Sequence, residues 1–580
     1  MRFLRMLTNS LLAGALGAAY LTILVLQLNP AVPLLSATPW WWFVTLGLLY
    51  GVHFAVAFYV VLMAREFFAM GMLSPGWISV RLLAWLGAVM SAAAAALMWL
   101  NLRGFAPAIG EVAAWRMTAG AIATTVSAIL LLAIAVAHYS FGRRGSRVGA
   151  WLFSIAVVGS MALPIAARGP GSPPRDEPSP WLDPRAAASP SADGPRVTLL
   201  LLDGASLEHI WPRAAEGRLP NFSRLLDGGA VIDLATIRPT QPNPVWAAVA
   251  TGMYPAANGV RSAARYYALR DRRGIDLLPD HCLSHALVTL GFVRDQPLAS
   301  DAWGATPLWG ILSDEGLTSG IVRWPLTHPT EPSAGFMISD RLHQVATSIG
   351  EYDRAGFPKA VLRTVQSISM NPAYAGPDAV LASGFTPNGP ESSALEHDLL
   401  YARVGRALRV ERDPRLFALR YTGLDTVGHY YLRYAQPRAS RSITEDDRRR
   451  LGQLVDRYYA FVDGEIGAAL TGMTAGDLLF VVSGFGMQPV NPAKKLFARV
   501  LRDPDFSGTH ERAPDGFLIA YGNVVQPGRS QRGSIVDVTP TLLYFFGLPV
   551  ARDMDGFART DLFTRELTAE RPVTFIPSYR

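Results

Sequence analysis

The stretch RPTQPNPVWAAVATGMYPAANGV (Arg238–Val260) follows the strand-like run VTLLLLDG (Val197–Gly204), and together they indicate the fold of most of the chain. VTLLLL is a continuous apolar run that ends in Asp-Gly. Such a run is typical of a buried parallel strand that delivers a carboxylate, here Asp203, to the end of a sheet. The proline-rich start of the second stretch predicts an irregular loop, and VWAAVATG predicts a small-residue helix packed beneath it.

The chain from Arg196 onward alternates between apolar strand-like runs and segments with helical spacing, such as Asp446–Leu470. This alternation predicts an α/β domain with a mostly parallel central sheet and helices on both faces. The strand-like runs are VTLLLL (Val197–Leu202), AVIDLATI (Ala230–Ile237), SGIVRW (Ser319–Trp324), RLFALRYTG (Arg415–Gly423), DLLFVVSG (Asp477–Gly484) and FLIAYG (Phe517–Gly522).

The first third of the chain is more apolar and accounts for the high hydrophobic content of 50%. It holds five apolar runs of about 20 residues, each long enough to span a bilayer as a helix. The basic start MRFLRM also occurs in cleaved signal peptides, but no small-residue cleavage site precedes the second run, so we expect an uncleaved anchor. The runs are Leu7–Leu28, Trp40–Met63, Leu82–Leu100, Met117–Ala137 and Val148–Ile165.

Arginines in alternate connections predict the orientation of these runs. They precede the first run and lie in the second and fourth connections, whereas the first connection has no Lys or Arg and the third has only Arg103 and Arg116. By the positive-inside rule the N-terminus is cytoplasmic, and five crossings place everything after Ala167 outside. The sequence thus predicts a multi-pass protein of the cell (inner) membrane with an extracytoplasmic, periplasmic C-terminal domain. The orienting arginines are Arg2, Arg5, Arg65, Arg81, Arg143, Arg144 and Arg147.

The predicted organisation has four parts. Residues 1–168 form a transmembrane domain of five helices. Residues 169–195 are rich in Pro, Ser and Ala and form an extended, partly stiff linker. Residues 196–556 form the α/β domain, and residues 557–580 form a C-terminal tail.

Charge and cysteine content exclude some classes of function. The formal net charge is +7, and part of the excess consists of the orienting arginines. No basic stripe with interleaved aromatic residues occurs, so we expect no nucleic-acid partner. Cys282 is the only cysteine, which rules out an intramolecular disulfide.

Polar residues at strand ends are the candidates for chemistry, because ligands of such sheets bind at the carboxyl ends of the strands. Asp425 and His429 lie in LDTVGHYYLRY, just past a predicted strand. A hard oxygen and an imidazole at this spacing are within reach of one ion, which suits zinc. His510, in GTHERAPDG, lies just upstream of another predicted strand.

The Asp-Gly strand followed by the loop PxxPxP…TGxxPxxxG resembles the alkaline phosphatase superfamily, specifically its type I phosphodiesterase/nucleotide pyrophosphatase branch. Two further segments are similar to that branch, RWPLTHPTEPSAGFMISD (Arg323–Asp340) and SIVDVTPTLLYFFGLPVARDMDG (Ser534–Gly556). The likeness runs from Arg196 to Gly556. It implies an alkaline phosphatase-like α/β fold and a metal-dependent phosphodiesterase or phosphotransferase ancestry.

The resemblance also implies one intact metal site. The family builds this site from the Asp and His of a D-x-x-x-H motif and a distant His of a G-x-H motif. The corresponding residues here are Asp425, His429 and His510. We therefore expect one divalent metal ion as cofactor, and we expect it to be zinc.

The residues that the resemblance implies for a second metal ion are mostly replaced. Asp203 is retained, but Pro242 occupies the nucleophile position, and Gly484 and Phe485 occupy the positions of an Asp-His pair. Proline has neither a hydroxyl nor an N–H, and Gly and Phe offer no metal-binding side chain. Two-metal clamping of the attacking and leaving oxygens needs both ions. We therefore expect the usual covalent phospho-enzyme chemistry to be absent.

Two functions remain open from the sequence. In the first, the protein is a membrane-anchored, degenerate member of the superfamily that acts in binding or regulation. In the alternative, it is an active one-metal phosphoester hydrolase or phosphotransferase that uses a metal-bound water or Thr240, the nearest hydroxyl on the loop, as nucleophile. An α/β domain without any site would leave the three metal-type residues unexplained.

The expected partners follow from the layout. Five N-terminal helices, a linker and an outward-facing domain resemble the envelope phosphoethanolamine and glycerol-phosphate transferases, and also a related lipopolysaccharide-regulating protein whose domain has lost hydrolase competence. We therefore expect the lipid bilayer as one partner and a phosphorylated or lipid-linked envelope ligand as another. This likeness is one of architecture and does not identify the ligand.

Overall fold

The computed structural model describes residues 2–68, 75–140, 147–171, 194–279, 284–346, 348–371, 377–385, 389–435, 443–491, 495 and 506–579. The predicted linker lies mostly outside the described residues, as do Arg143 and Arg144. The chain divides into two compact units. Unit 1 comprises Met1–Asp176 and Ala264–Pro297, and unit 2 comprises Glu177–Ala263 and Leu298–Arg580.

Helices are present in both units. The helices of unit 1 are α1 (Arg2–Leu28), α2 (Thr38–Leu46), α3 (Val52–Phe68), α4 (Pro75–Ile109), α5 (Glu111–Ile134), α6 (Arg147–Arg168) and α11 (Ser284–Thr289). Those of unit 2 are α7 (Leu207–Ala215), α8 (Pro220–Gly228), α9 (Pro242–Thr251), α10 (Pro255–Asn258), α12 (Leu308–Asp314), α13 (Leu342–Val345), α14 (Ile349–Tyr352), α15 (Val361–Ser369), α16 (Pro377–Ala382), α17 (Pro390–Arg412), α18 (Gly423–Ala435), α19 (Glu445–Thr471), α20 (Val538–Phe546) and α21 (Arg565–Glu570).

The strands lie almost entirely in unit 2. In chain order they are β1 (Val197–Leu202), β2 (Ala230–Ala235), β3 (Ala264–Tyr267), β4 (Arg294–Pro297), β5 (Ser319–Val322), β6 (Gly335–Ile338), β7 (Gly356–Phe357), β8 (Leu416–Tyr421), β9 (Leu478–Phe485), β10 (Gln488–Pro489), β11 (Gly508–Thr509), β12 (Asp515–Tyr521), β13 (Gly528–Arg529), β14 (Gly533–Ser534), β15 (Val550–Ala551) and β16 (Phe575–Ile576).

Unit 1 confirms the five long apolar helices. A π-helical turn, Gly47–Gly51, joins α2 to α3, so these two helices form one continuous span. Each span has the length and hydropathy of a membrane-crossing helix. The candidate spans are Met6–Leu28, Thr38–Arg65, Ala84–Ile109, Glu111–Ala137 and Arg147–Arg168.

A segment of the predicted α/β domain belongs to unit 1. This segment, Ala264–Pro297, is called the insertion below; β3 and β4 pair antiparallel at its two ends. The sequence analysis placed this segment within the α/β domain of residues 196–556. The reason for the difference is packing, since Ile275 and Leu287 of the insertion share an apolar cluster with Val25 and Trp42 of the helices.

The C-terminal residues 557–580, which the sequence predicts as a tail, are also more integrated than expected. Within unit 2, β16 pairs with β15, and Phe563 is buried in the apolar core. The Tyr544 hydroxyl donates to the main-chain oxygen of Arg571. Packing of the α/β unit therefore continues past Gly556.

Ten strands of the described chain form one sheet in unit 2, in the order β13-β2-β12-β9-β1-β8-β5-β6-β7, with β14 also beside β2. The central strands β9, β1, β8, β5 and β6 are parallel, while β12 and β7 run antiparallel to their neighbours. Leu199 and Leu201 pack on one face with α9, α12 and α20. Leu200 and Leu202 pack on the other with α8, α17 and α19. This confirms the predicted fold class.

The register of the three central strands positions the candidate site. Leu202 at the end of β1 is paired with Tyr421 on β8 and with Ser483 on β9. β1 and β8 therefore end at one level of the sheet, and β9 continues beyond it to Phe485. Asp203, the start of α18 and the Gly484–Phe485 pair meet at this edge, as expected for ligand-binding loops of a parallel sheet.

Candidate metal centre

Asp425 and His429 are presented by the first turns of α18. The helix begins at Gly423, two residues after β8 ends, and the spacing of four residues places both side chains on one face. Gly204, which follows Asp203, packs directly against this turn with a φ of +73°, and a Cβ atom there would lie 2.9 Å from the Cα atom of Asp425. Glycine at this position is therefore needed for the close approach of the two strand-end loops.

His510 completes the cluster from the segment between β11 and β12. Its Nε2 atom lies 3.8 Å from Asp425 Oδ1, and His429 Nε2 lies 3.5 Å from Asp425 Oδ2. Single ligand atoms from the three side chains all lie within 4.8 Å of one another. Ligands bound tetrahedrally to zinc at about 2.0–2.2 Å are separated by roughly 3.4 Å. The structure thus brings together the three residues that the sequence analysis selected, at a spacing close to that of a metal site.

Main-chain oxygens orient both imidazole rings. His429 Nδ1 lies 2.8 Å from the oxygen of Gly508, and His510 Nδ1 lies 3.0 Å from the oxygen of Thr240. A carbonyl oxygen only accepts, so each Nδ1 carries a proton, and each Nε2 can offer its lone pair to a metal ion once the ring is neutral. Such contacts are typical of metal-ligating histidines, because they hold the tautomer and the ring orientation.

One oxygen of the Asp425 carboxylate is free to accept a further ligand or hydrogen bond. Its Oδ1 atom is buried and has no hydrogen-bond partner. Burial raises the pKa of Asp425, but the hydrogen bond to His429 and the charges of His510 and Arg420 outweigh burial and hold the pKa below its ordinary value. A buried, ionised oxygen without a partner fits a cation. Two imidazoles and one carboxylate suit zinc, so these residues fit the metal that the family implies.

Asp203, which the resemblance implies as a ligand of a second metal ion, is paired with an arginine. Arg420, on β8, donates from Nε to both oxygens of Asp203, at 3.0 and 3.1 Å, and from Nη2 to Oδ2. Trp246 Nε1 donates to Asp203 Oδ1 at 2.7 Å. Burial alone would lower the pKa of Arg420, but Asp203 and Asp340 raise it above its ordinary value, so the guanidinium is charged. The Asp203 carboxylate is therefore already neutralised by the chain itself.

Apolar groups fill the rest of that position. A Cβ atom built on Gly484 would overlap Val245 Cγ1 and would contact the Trp246 ring at 3.5 Å. Phe485 is fully buried, and its ring centroid lies 5.0 Å from that of His510. A glycine and a phenylalanine thus stand where the resemblance implies an Asp-His pair. Val245 and Trp246 leave no room for a carboxylate at position 484.

The nucleophile position offers no hydroxyl. Pro242 is the first residue of α9, where proline fits because the N–H of this position has no helical partner. Thr240, the alternative nucleophile, is 1% exposed, and its hydroxyl donates to the main-chain oxygen of Ile237 at 2.8 Å. This burial does not favour attack by Thr240 on a bound ligand.

Three residues of this region were not selected from the sequence, namely Arg420, Trp246 and Val245. Arg420 gave a usable signal, because a charged residue within the apolar run LFALRY is rare unless it is paired. Trp246 and Val245 gave none. Their role depends on the packing of α9 against the ends of β1 and β9.

The family assignment rests on a sequence comparison. A family model described as type I phosphodiesterase/nucleotide pyrophosphatase matches residues 197–530. This chain belongs to that family. The matched range contains Asp203, Asp425, His429 and His510. Comparison with individual curated protein sequences gave no match.

Solved structures of the same family are similar at low identity. One is human ectonucleotide pyrophosphatase/phosphodiesterase 5, at 12% identity and a TM-score of 0.38, covering 64% of this chain and 100% of that chain. Another is the murine protein, at 13% identity with the same TM-score and the same coverage. The murine protein is also represented by an inactive variant in complex with AMP.

Proposed function

We propose that this phosphodiesterase-family protein is a membrane-anchored, degenerate member that binds one zinc ion and an anionic envelope ligand. Asp425, His429 and His510 would hold the ion. Zinc, when bound, supplies a Lewis-acidic centre that attracts an anionic oxygen. The role of the domain would be to bind or regulate a phosphorylated or lipid-linked ligand rather than to transfer its phosphoryl group.

The observation that carries this proposal is the buried ion pair between Arg420 and Asp203. The side-chain exposures of the two residues are 10% and 2%. A guanidinium that donates to both carboxylate oxygens cannot share them with a second cation without a large electrostatic cost. Loss of the second ion removes the charge that would stabilise a leaving oxygen. The site is therefore suited to hold an anion at one metal but not to two-metal phosphoryl transfer.

The second candidate is an active one-metal phosphoester hydrolase or phosphotransferase. It is favoured by the convergence of all three ligands and by the unpartnered Asp425 Oδ1. A metal-bound water is the better nucleophile for this candidate, because the Thr240 hydroxyl is buried and donates within its own loop. No general base for that water is evident beyond the three ligands among the described residues.

An extracytoplasmic orientation is part of the proposal and is supported within unit 1. Arg168, at the end of α6, donates to main-chain oxygens of Leu26 and Asn29 at the end of α1. Leu277 of the insertion packs in one cluster with Ile109 at the end of α4. The arginine-poor helix ends thus lie on the same side as the insertion. A reporter fused after Pro195 should be active only outside the cytoplasm, and cytoplasmic activity would refute this orientation.

The proposed function is tested by measuring zinc content and phosphoester hydrolysis on the purified full-length protein. We expect about one zinc per chain, because one ligand set is complete. We also expect hydrolysis near background on a panel of phosphodiesters and phosphomonoesters, unchanged in Asp425→Asn. Two tightly bound ions would contradict the degenerate second site. Robust hydrolysis that is lost in Asp425→Asn would select the one-metal enzyme instead.

A further inference from the structure

The insertion is held at the end of the helical bundle by a single asparagine. Asn29, just after α1, donates from Nδ2 to the oxygen of Leu277 at 2.8 Å, and its Oδ1 accepts from the N–H groups of Asp276 and Leu277 at 3.1 Å. Leu269 N–H donates to Thr45 Oγ1 of α2 at 3.1 Å. These bonds attach the insertion to the bundle through its main chain, at both α1 and α2.

This attachment places the insertion at the boundary of the apolar region. The first candidate span ends at Leu28 and the second begins at Thr38, and Asn29 lies between them. Trp40, at the start of the second span, is 61% exposed. Exposed tryptophans at helix ends are typical of the lipid headgroup level. The insertion therefore lies where lipid headgroups would surround unit 1.

The hairpin of the insertion carries exposed positive charge at this level. Arg265–Arg273 contains four arginines and one aspartate. Arg265, Arg270 and Arg272 are exposed and make no ion pair with any described residue. The aspartate, Asp271, is directed elsewhere, since its Oδ1 accepts from Thr38 Oγ1 and from the main-chain N–H of Arg273.

Among the described residues of the insertion, Asp276 and Asp295 form no ion pair with these arginines. The main-chain N–H of Asp276 donates to Asn29. Asp295 lies opposite Tyr266 in the β3–β4 pair, and burial of Tyr266 and, to a smaller extent, the charge of Asp295 raise the pKa of this tyrosine. Arg270 also has a φ of 58°, a left-handed conformation that favours Gly or Asn. Within the described part of the chain, these three guanidinium groups thus remain available to an external anion.

We propose that Arg265, Arg270 and Arg272 form a binding surface for the phosphate groups of anionic phospholipids at the bilayer surface. Guanidinium groups form charge-assisted, bidentate hydrogen bonds with phosphate oxygens. A lipid supplies this phosphate at the level of Trp40, where the bonds of Asn29 hold the insertion. The surface is independent of the metal centre, so its test is separate from that of the proposed function.

The test measures binding of phosphatidylglycerol and phosphatidylcholine to the full-length protein in nonionic detergent by native mass spectrometry. Each basic residue near a lipid surface contributes about fivefold in affinity, so Arg265→Gln, Arg270→Gln and Arg272→Gln together should weaken phosphatidylglycerol binding by on the order of 100-fold. The corresponding triple lysine variant should retain most of the binding, because it keeps the charge. Binding of phosphatidylcholine should be weaker and unchanged.

A charge-matched control distinguishes a local surface from net charge. Arg363, Arg449 and Arg565 are exposed arginines of unit 2, and their triple glutamine variant should bind phosphatidylglycerol like the wild type. An equal loss in this control, or no loss in the hairpin variant, would overturn the proposal. Displacement of the lipid by millimolar inorganic phosphate would overturn it too, since a free anion would then be the ligand.

A measurement on the wild type covers the case in which the hairpin variant fails to fold. Salt screens exposed charges, with a Debye length of about 10 Å at 0.1 M and about 3 Å at 1 M. The preference of the wild type for phosphatidylglycerol over phosphatidylcholine should therefore shrink severalfold between these concentrations. A preference that does not depend on salt would refute binding through the three arginines.

Discussion

Arg420 Nε lies 3.0 and 3.1 Å from the two carboxylate oxygens of Asp203, at the carboxyl ends of two adjacent parallel strands. In the family, this aspartate is expected to be a ligand of the second metal ion. Here a positive charge is still present beside it, but the charge belongs to a side chain. In the proposed function, this guanidinium takes the place of the metal ion beside the retained Asp-Gly strand.

A double-mutant cycle on this ion pair should show strong coupling. Either Asp203→Asn or Arg420→Met alone should destabilise the protein by about 3–5 kcal/mol, because one buried charge is left unpaired. The double variant should be more stable than the sum of the two single effects predicts. Thermal unfolding of the full-length protein measures this. Additive effects would mean that the two charges do not depend on each other.

Zinc content should depend on His429 but not on Asp203. His429→Ala should lose the ion and lower the unfolding temperature, because metal binding stabilises the folded state. His285→Ala changes an exposed histidine of the insertion and serves as the matched control. Asp203→Asn should keep the ion if it folds. Loss of zinc in Asp203→Asn together with a native-like unfolding temperature would show that Asp203 is a ligand after all.

Substituting the family's ligand residues at the three replaced positions should not by itself create a second metal site. Pro242→Thr, Gly484→Asp and Phe485→His together leave Arg420 on Asp203 and force a Cβ atom at position 484 against Val245. We expect this triple variant to bind no second ion and to unfold at a lower temperature. A second tightly bound ion in it would refute the steric and electrostatic block.

The steric part of that block can be measured by itself. Gly484→Ala should destabilise the protein by about 1–3 kcal/mol, the usual cost of overpacking a core, and Val245→Ala should recover part of it. Gly464→Ala is the matched control, because this helical glycine has no neighbouring atom within 4 Å of a built Cβ. It should be stabilising by roughly 0.5–1 kcal/mol. Equal effects at positions 484 and 464 would contradict the packing argument.

Acid should destabilise unit 2 through a half-buried pair of histidines. The ring centroids of His343 and His397 lie 4.1 Å apart, and the His343 ring contacts the hydroxyl of Tyr401. Burial lowers the pKa of His343 to about 3, and the charges of His397 and Arg323 contribute to the same shift. Burial lowers the pKa of His397 as well.

The sign of the resulting pH dependence follows from these lowered pKa values. Below about pH 6.5 these histidines bind protons in the unfolded chain but not in the folded chain. Their contribution to the free energy of unfolding is therefore fully present above about pH 6.5 and is lost as the pH falls towards about 3. His343→Gln should flatten this slope, whereas His285→Gln should not. Unfolding temperatures measured in steps from pH 7 to pH 4 would check it. Parallel profiles for the wild type and His343→Gln would exclude the pair as the cause.

Much of the fold was predictable because it depends on local patterns. The run VTLLLL is apolar at every position, and it forms β1, which is buried on both faces. Asp425 and His429 were predictable as partners because their separation of four residues is also the repeat of a helix face. The five candidate membrane spans follow from length and hydropathy alone.

The sequence by itself thus determined the two kinds of unit and selected the three residues that cluster as a candidate metal centre. The tertiary structure alone decided that Arg420 neutralises Asp203, and that Val245 occupies the space beside Gly484. It also decided that the insertion packs on the bundle through Asn29, although its neighbours in sequence belong to unit 2. The physical reason is that hydrophobic periodicity and spacing act between neighbours in the chain. Charge pairing and close packing join residues that are hundreds of positions apart, and only the folded backbone brings them together.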